Sequence, residues 1–427
     1  MKFILCFLLL TGLQGLCHQL PGHHEEQEQS GDKNPPEPQH QPPAERQETE
    51  TTSFKKIVIP NAEYAFRLYK LIASDPSPQN VIFSPLSIST AFAMLMLGAK
   101  NETHRQLFNG LAFDLSDAEE NEIHGAFNQV IHTLNQPNNI TKMDIGNALF
   151  IEESWKLDPK FLNNVKTLYE ADCLPTCFRN TTAAENKIND YVKNKTNGKI
   201  PQAIQGLDES TAMVLLNYIF FKACWRNPFS FELTTETDFF VDATTTVKVN
   251  MMYRKGDYDF LQDEDLSCWV VRVPYNEDYT AWFILPDQGK LKAVENALSR
   301  QVFQKWMTSV KMNEIHLHIP KFSISGSYDV KDLLQKQGVK NVFNDDADLS
   351  GITGKPNVKV SKAVHKAVLD VHEGGTEAAA VTVMEFESLR FPPPPTIEFN
   401  RSFIMVIGHK RLQHYIFMAR VTDPTAK

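Results

Sequence analysis

Sorted by apolar and polar positions, the 427-residue chain has three textures. Residues 1–17 (MKFILCFLLLTGLQGLC) carry a lone Lys2, an apolar run, then small or turn-forming residues. Residues 18–53 hold almost no apolar side chains. From Ile57 onward, apolar runs recur without a second linker or an internal repeat, so residues 54–427 read as one domain. Within 61–73 (NAEYAFRLYKLIA), Tyr64, Phe66, Leu68, Tyr69, Leu71 and Ile72 fall close to the helical period. Residues 87–98 (SISTAFAMLMLG) are apolar nearly all round, which predicts a buried helix capped by serine and stopped by Gly98. Residues 184–195 read as a third helix. Strands are predicted at 213–221 (MVLLNYIFF), 269–273, 280–285 (TAWFIL), 315–319 (IHLHI), 358–360, 403–407 and 415–420. Helices dominate early and strands late, which is the order of an α+β domain rather than an alternating βαβ chain.

The termini change the picture. The apolar core of residues 1–17 is too short to span a bilayer, and polar sequence follows at once, so it reads as a secretory signal peptide. Gly15 and Cys17 suit the small-residue cleavage rule, which makes His18 the expected mature N-terminus. No later apolar run is long enough to cross a membrane, so a soluble, secreted, extracellular protein is expected. Residues 18–53 are rich in Pro, Gln and Glu and carry eight acids against two bases. Such a segment buries too little surface to offset its ordering entropy and is expected to be disordered. His18, His23, His24 and His40 fit a solvated tail better than a weak metal site. The chain holds 43 basic and 52 acidic residues, a net charge of −9, which argues against nucleic acid as a partner. Lys100 with Arg105, and Lys305 with Lys311, make no polyanion stripe, so strong heparin binding is not supported. A monomer is expected.

Candidate chemistry is sparse. Cys6 and Cys17 leave with the signal, and Cys173, Cys177, Cys224 and Cys268 are too few for a disulfide scaffold. Four residues of extended strand separate Cys173 and Cys177 by about 13 Å, beyond disulfide reach unless Pro175 bends the chain. Free thiols are the simpler reading. Glycan acceptors are expected at Asn101, Asn139, Asn180 and Asn194. Asn400-Arg-Ser also fits the rule, but it lies against an apolar strand pattern and is expected to be buried and unused. No hydrolase elbow, phosphate loop, zinc-protease helix or dinucleotide fingerprint is present, so no enzyme, metal or cofactor is expected.

Six stretches, in order, carry a resemblance. They are NVIFSPLSISTAFAMLMLGA (80–99), LNYIFFKACWRNPF (216–229), HIPKFSISGSYDV (318–330), DLSGIT (348–353), VSKAVHKAVLDVHEGGTEAAA (360–380) and FNRSF (399–403). From about Ile57 to the C-terminus the chain resembles the serpins, serine protease inhibitors, and among them the secreted antitrypsin, antichymotrypsin and kallistatin group. The resemblance implies three β-sheets, about nine helices and an exposed reactive-centre loop at 373–395. By position, Ser84, Ser87, Asn217 and His365 match a polar cluster beneath the place where the main sheet's middle strands part. Lys321 and Glu373 match an ion pair at the top of that sheet, with Trp225 beside it, and breaking such a pair should favour polymers. The chain departs from the family at Ser402, where proline is common, at Ala419 for glycine, and at Cys224 for lysine.

Residues 372–400 (HEGGTEAAAVTVMEFESLRFPPPPTIEFN) have a logic of their own. Gly374 and Gly375 allow a flexible exit after Glu373. Thr376, Ala378, Ala379, Ala380, Val381 and Thr382 are small or β-branched, and among them only Glu377 is charged. Small alternate side chains would fit between existing strands. The prolines at 392–395 cannot pair in a central strand and mark the end of such an insertion. The resemblance implies suicide inhibition: a protease cuts the loop, becomes covalently attached and is carried along as the loop inserts. Counting from Glu373 places the reactive bond between Leu389 and Arg390, suited to chymotrypsin-like proteases. The bond between Arg390 and Phe391, suited to trypsin-like enzymes, is the alternative. A serpin that carries a small hydrophobic hormone without inhibiting is the other reading.

Overall fold

A computed structural model of the chain describes residues 53–75, 79–136, 141–355, 358–375 and 393–426. They belong to the larger of two units into which the chain divides, Arg46–Lys427. The described residues hold ten α-helices: α1 Val58–Ala73, α2 Pro85–Met96, α3 Asn101–Gly110, α4 Glu120–Asn135, α5 Pro159–Tyr169, α6 Thr181–Lys195, α7 Leu291–Ala297, α8 Arg300–Ser309, α9 Val330–Lys336 and α10 Ser350–Thr353. Local chemistry starts several of them. Ser84 caps α2, its Oγ accepting from Ser87 N at 3.2 Å, with Pro85 at the first helical position. Asp158 caps α5 in the same way.

Fourteen strands follow in chain order: β1 Val81–Phe83, β2 Thr141–Glu152, β3 Asp172–Thr176, β4 Met213–Ala223, β5 Thr235–Phe240, β6 Thr246–Asp263, β7 Cys268–Pro274, β8 Tyr279–Pro286, β9 Lys311–Pro320, β10 Phe322–Asp329, β11 Lys362–Val371, β12 Thr396–Glu398, β13 Phe403–His409 and β14 His414–Val421. Five form one sheet in the order β10-β11-β4-β2-β3, and the other nine form a ladder running β1-β14-β13-β8-β7-β6-β9-β12 with β5 on β6. The expected second and third sheets are joined because β6 serves both. Its residues 246–251 pair with β5, 251–260 with β9 and 259–263 with β7.

The five-stranded sheet is covered on both faces. Leu215 and Ile219 of β4 join the main core with α2, while Val214, Leu216 and Tyr218 join a second core with Ala184, Ile188 and Val192 of α6. That is why β4 reads as an unbroken apolar run rather than an alternation. Close approach explains one quoted motif: a Cβ on Gly98 would lie 2.3 Å from Ile352 of α10.

The predicted strands lie within β4, β7, β8, β9, β13 and β14, with one exception. Residues 358–360 are irregular, and the strand of that region is β11, starting at Lys362. Val360 instead donates its N–H to Val342 O. The helices α1 and α6 begin three residues before their apolar patterns do, and α2 ends at Met96.

Candidate functional site

The site lies where β11 and β4 meet. These neighbours run parallel and pair from Lys362–Val214 to Val368–Phe220. Their outer partners hold on longer: β10 pairs with β11 up to Val371, and β2 pairs with β4 up to Ala223. The central register therefore stops three residues short of both strand ends.

Above that seam the chain reverses. His372 and Gly375 exchange backbone hydrogen bonds at 2.8 and 2.9 Å, and Gly375 faces Cys224 in an antiparallel bridge. Gly375 has φ +125°, and a Cβ there would lie 2.3 Å from Ala223 O, so no other residue fits. Trp225 N donates to Gly374 O and Phe229 N to Glu373 O, both at 2.9 Å. The turn thus reverses the backbone, so that Gly375 lies antiparallel to the segment that continues β4 at Cys224.

Side chains clasp the turn. Glu373 is buried; its carboxylate meets Lys321 Nζ at 3.2 Å and accepts from Thr234 Oγ1 at 3.0 Å. The Lys321 side chain is 43% exposed and lies over the Phe231 ring. Trp225 stacks on Tyr275 at 4.1 Å and donates Nε1–H to His372 O at 3.0 Å.

Lower down, a polar cluster bridges the seam. His365 and Asn217 are register partners on β11 and β4. His365 Nδ1 donates to Asn217 Oδ1 at 2.5 Å, and its Nε2 accepts from Ser84 N at 3.0 Å. That pair of partners assigns the neutral tautomer. Burial, helped by the Lys366 charge, pushes the His365 pKa down to about 3. Asn217 Nδ2 donates to Ser87 Oγ and to Asn147 Oδ1, each at 2.6 Å. His365 is therefore held from β4 and from the N-terminus of α2, and Asn217 from β11, β2 and α2.

Seven sequence-predicted residues come together in these two layers: Ser84, Ser87, Asn217 and His365 below, Lys321, Glu373 and Trp225 above. Gly374 and Gly375 join the upper layer. Asn147, Thr234 and Tyr275 were missed. An asparagine in the middle of a strand was a usable signal for Asn147; Asn217 came from the resemblance. The predicted loop residues Thr376, Glu377, Ala378, Ala379, Ala380, Leu389 and Arg390 lie outside the described residues, as do Asn139 and residues 1–52.

Asn101, Asn180 and Asn194 are exposed. The four described cysteines are free thiols, and burial pushes those of Cys173 and Cys268 up to about 12. Among the described residues, no helix is long and apolar enough to cross a membrane, and no cluster of three His, Cys, Asp or Glu could hold a metal.

Known proteins give this geometry its context. The family model described as Serpin (serine protease inhibitor) matches residues 60–424. Alpha-1-antitrypsin of Sus scrofa is 44% identical over 371 residues, 87% of this chain and 88% of its own length. Serpin A9 of Homo sapiens is 43% identical over 380 residues, 88% of this chain and 91% of its own. Among solved structures, human thyroxine-binding globulin complexed with thyroxine superposes with TM-score 0.83 at 40% identity, covering 88% of this chain and 100% of that one. Human glycosylated kallistatin gives TM-score 0.81 at 41% identity, covering 88% of this chain and 100% of that one. The chain belongs to the serpin family and has its α+β fold.

Proposed function

We propose that the protein is a secreted inhibitor of serine proteases that acts once, by cleavage of residues 373–395 and insertion of the cut loop between β11 and β4. The observation that carries this reading is the seam itself. Two parallel neighbours stop pairing early, and the chain leaving β11 turns at residues 372–375, where Gly375 meets Cys224 in an antiparallel bridge. A strand entering there replaces one parallel pairing with two antiparallel ones.

In this mechanism the protease serine attacks the carbonyl of Leu389, the amine of Arg390 leaves, and an ester links Leu389 to the enzyme. Glu373, Gly374, Gly375, Thr376, Glu377, Ala378, Ala379 and Ala380 form the hinge that enters first. About 16 inserted residues at roughly 3.3 Å each carry the protease some 50 Å. The hydrogen bond between His365 and Asn217 spans the seam, so it must part as the strand passes; with Ser84 and Ser87 it latches the closed sheet. Lys321, Glu373 and Trp225 hold the entrance shut until cleavage. The driving force is the metastability of the uncut sheet. Glycans on Asn101, Asn139, Asn180 and Asn194 would accompany secretion.

Incubation with chymotrypsin and, separately, trypsin tests the reading. An SDS-stable complex with chymotrypsin and a released C-terminal peptide beginning at Arg390 is the expected result. A peptide beginning at Phe391, with a trypsin complex, moves the bond to between Arg390 and Phe391. Clean cleavage with no complex favours a carrier of a small hydrophobic hormone. The likeness to thyroxine-binding globulin is what keeps that second reading open.

A further inference from the structure

We infer that Asn400 is a glycosylated residue and that its first sugars fill a surface depression over Phe240. The sequence pattern alone predicted a buried acceptor; the structure places it otherwise. Asn400 is half-buried and lines an open depression of about 860 Å3, together with Phe240, Pro286, Leu291 and Arg401. Depressions of ~300–1,000 Å3 hold drug-sized molecules, so a core disaccharide fits this one.

Three features converge on the carboxamide. Arg401 NH1 donates to Asn400 Oδ1 at 3.4 Å, which assigns the oxygen inward and leaves Nδ2 without a partner among the described residues. By contrast, Asn101 Nδ2 already donates to Asp348 at 2.7 Å. Ser402, the residue that completes the acceptor, is half-buried and makes no side-chain hydrogen bond among the described residues, so nothing structural requires its hydroxyl. Phe240 is the third feature. Its N–H donates to Asn400 O at 2.8 Å, which sets it directly beside the acceptor, yet its side chain is left 49% exposed. An aromatic face is electron-rich, and the C–H face of a pyranose packs on it well. A sugar on Asn400 covers a ring that is otherwise open to water.

The transfer is ordinary acceptor chemistry. Asn400 Nδ2 attacks C1 of a lipid-linked oligosaccharide pyrophosphate; the C1–N bond forms, the C1–O bond breaks, the lipid pyrophosphate leaves and one amide proton is lost. The inference rests on the secretory reading above, and the experiment separates the two.

The full chain is expressed in secreting mammalian cells and treated with a glycan-releasing amidase in heavy-oxygen water, and its peptides are mapped. Asn400 is expected as labelled Asp, and Ser402→Ala should lose one glycan in mass while still reaching the medium. Sugar on Asn101, Asn180 or Asn194 with an unmodified Asn400 overturns the inference and leaves secretion standing. No sugar on any acceptor of chain recovered from the medium overturns the inference alone, and a chain that stays inside the cells overturns the secretory reading. For the packing over Phe240, Phe240→Ala should lower the melting temperature of the glycosylated protein by about 2 °C. It should change little in the Ser402→Ala background. Equal shifts in both backgrounds overturn the placement of the sugar over the ring.

Discussion

Glu295 and Glu373 are the two buried glutamates among the described residues, each 2% exposed, and they are held in opposite ways. Glu295 sits on α7, where Tyr69 of α1 donates to it at 3.1 Å, Arg420 of β14 meets it at 3.2 Å, and Lys292 of the same helix, 58% exposed, stands farther off at 3.6 Å. Arg420 is itself buried and also donates to the Ala73 and Gln79 carbonyls. The Glu295–Arg420 pair joins a helix to a strand, so parting it moves a regular element, and Lys292 is only its secondary cation. Glu373 sits on a turn, and its cation, Lys321, reaches in from solvent. Releasing Glu373 returns Lys321 to full hydration and moves no regular element. A buried ion pair between fixed elements is a lock, because either half left alone is an uncompensated charge. A buried carboxylate with a half-solvated partner is a clasp, and only the clasp borders the seam proposed to open.

The largest effect should separate opening from stability. Thr376→Arg puts a charge at the first position beyond the clasp, where insertion would have to bury it. Complex formation should vanish while cleavage continues, with the melting temperature of the uncut protein unchanged. A variant that still traps protease would refute insertion through this seam. Arg420→Met makes the converse change. It leaves Glu295 with Tyr69 and the more distant Lys292 and should cost about 3 kcal/mol in urea unfolding, with the complex-to-cleavage ratio intact wherever the variant is folded.

The lock and the clasp were unequally visible in the sequence. Apolar runs gave away β4, β8, β13 and β14 because these strands are buried along most of their length. The strand β11 has a clean burial alternation, but its inward side includes His365 and two alanines, and Val364 and Val368 of its other side pack on the second core. Its two faces therefore look alike in hydropathy, and the nearby Val-Lys-Val at 358–360 drew the strand instead. The eighteen-residue β6 escaped notice because it is only partly buried and rich in polar side chains. Resemblance supplied Glu373 and Lys321 as a pair. Nothing local pointed to Glu295 and Arg420, 125 positions apart. Thr234 needed the fold, since it comes from a segment remote in sequence from Glu373, which it serves.

Acid tests both regions at once. Burial depresses His365 and His414 to about 3 and His409 to about 4. Below pH 6.5 the unfolded chain binds protons that these folded rings refuse. Their stabilising contribution is complete above pH 6.5 and is lost as pH falls toward 3–4. His104, raised by Glu120, runs the other way and offsets part of the loss. Each depressed ring should cost about 1.4 kcal/mol per pH unit in that window. His365 lies in the seam, whereas His409 and His414 are paired at the β13–β14 turn. Neither His414 nitrogen has a partner among the described residues. His414→Phe should therefore fold at least as well at pH 7 and show a shallower loss between pH 6.5 and 5 in urea titrations. An unchanged slope would mean that His414 is charged in the folded protein.

A modest loss of stability should have the most selective consequence. Lys321→Ala leaves Glu373 with Thr234 as its remaining side-chain partner, and the expected cost is about 1.5–3 kcal/mol, the worth of a hydrogen bond to a charge. The Glu373→Gln partner variant closes a double-mutant cycle, which should return a coupling below that of Arg420 with Glu295. Because the clasp guards an entrance, Lys321→Ala should form heat-induced polymers several-fold faster than the parent on native gels. A core variant matched to the same melting temperature supplies the control. If Arg420→Met, heated at an equal distance below its own midpoint, polymerises as fast as Lys321→Ala, then polymer formation follows global stability and the two glutamates do the same work. If only Lys321→Ala accelerates, the seam opens from the top without the rest of the fold loosening, and the half-solvated partner of Glu373 is what makes that release possible.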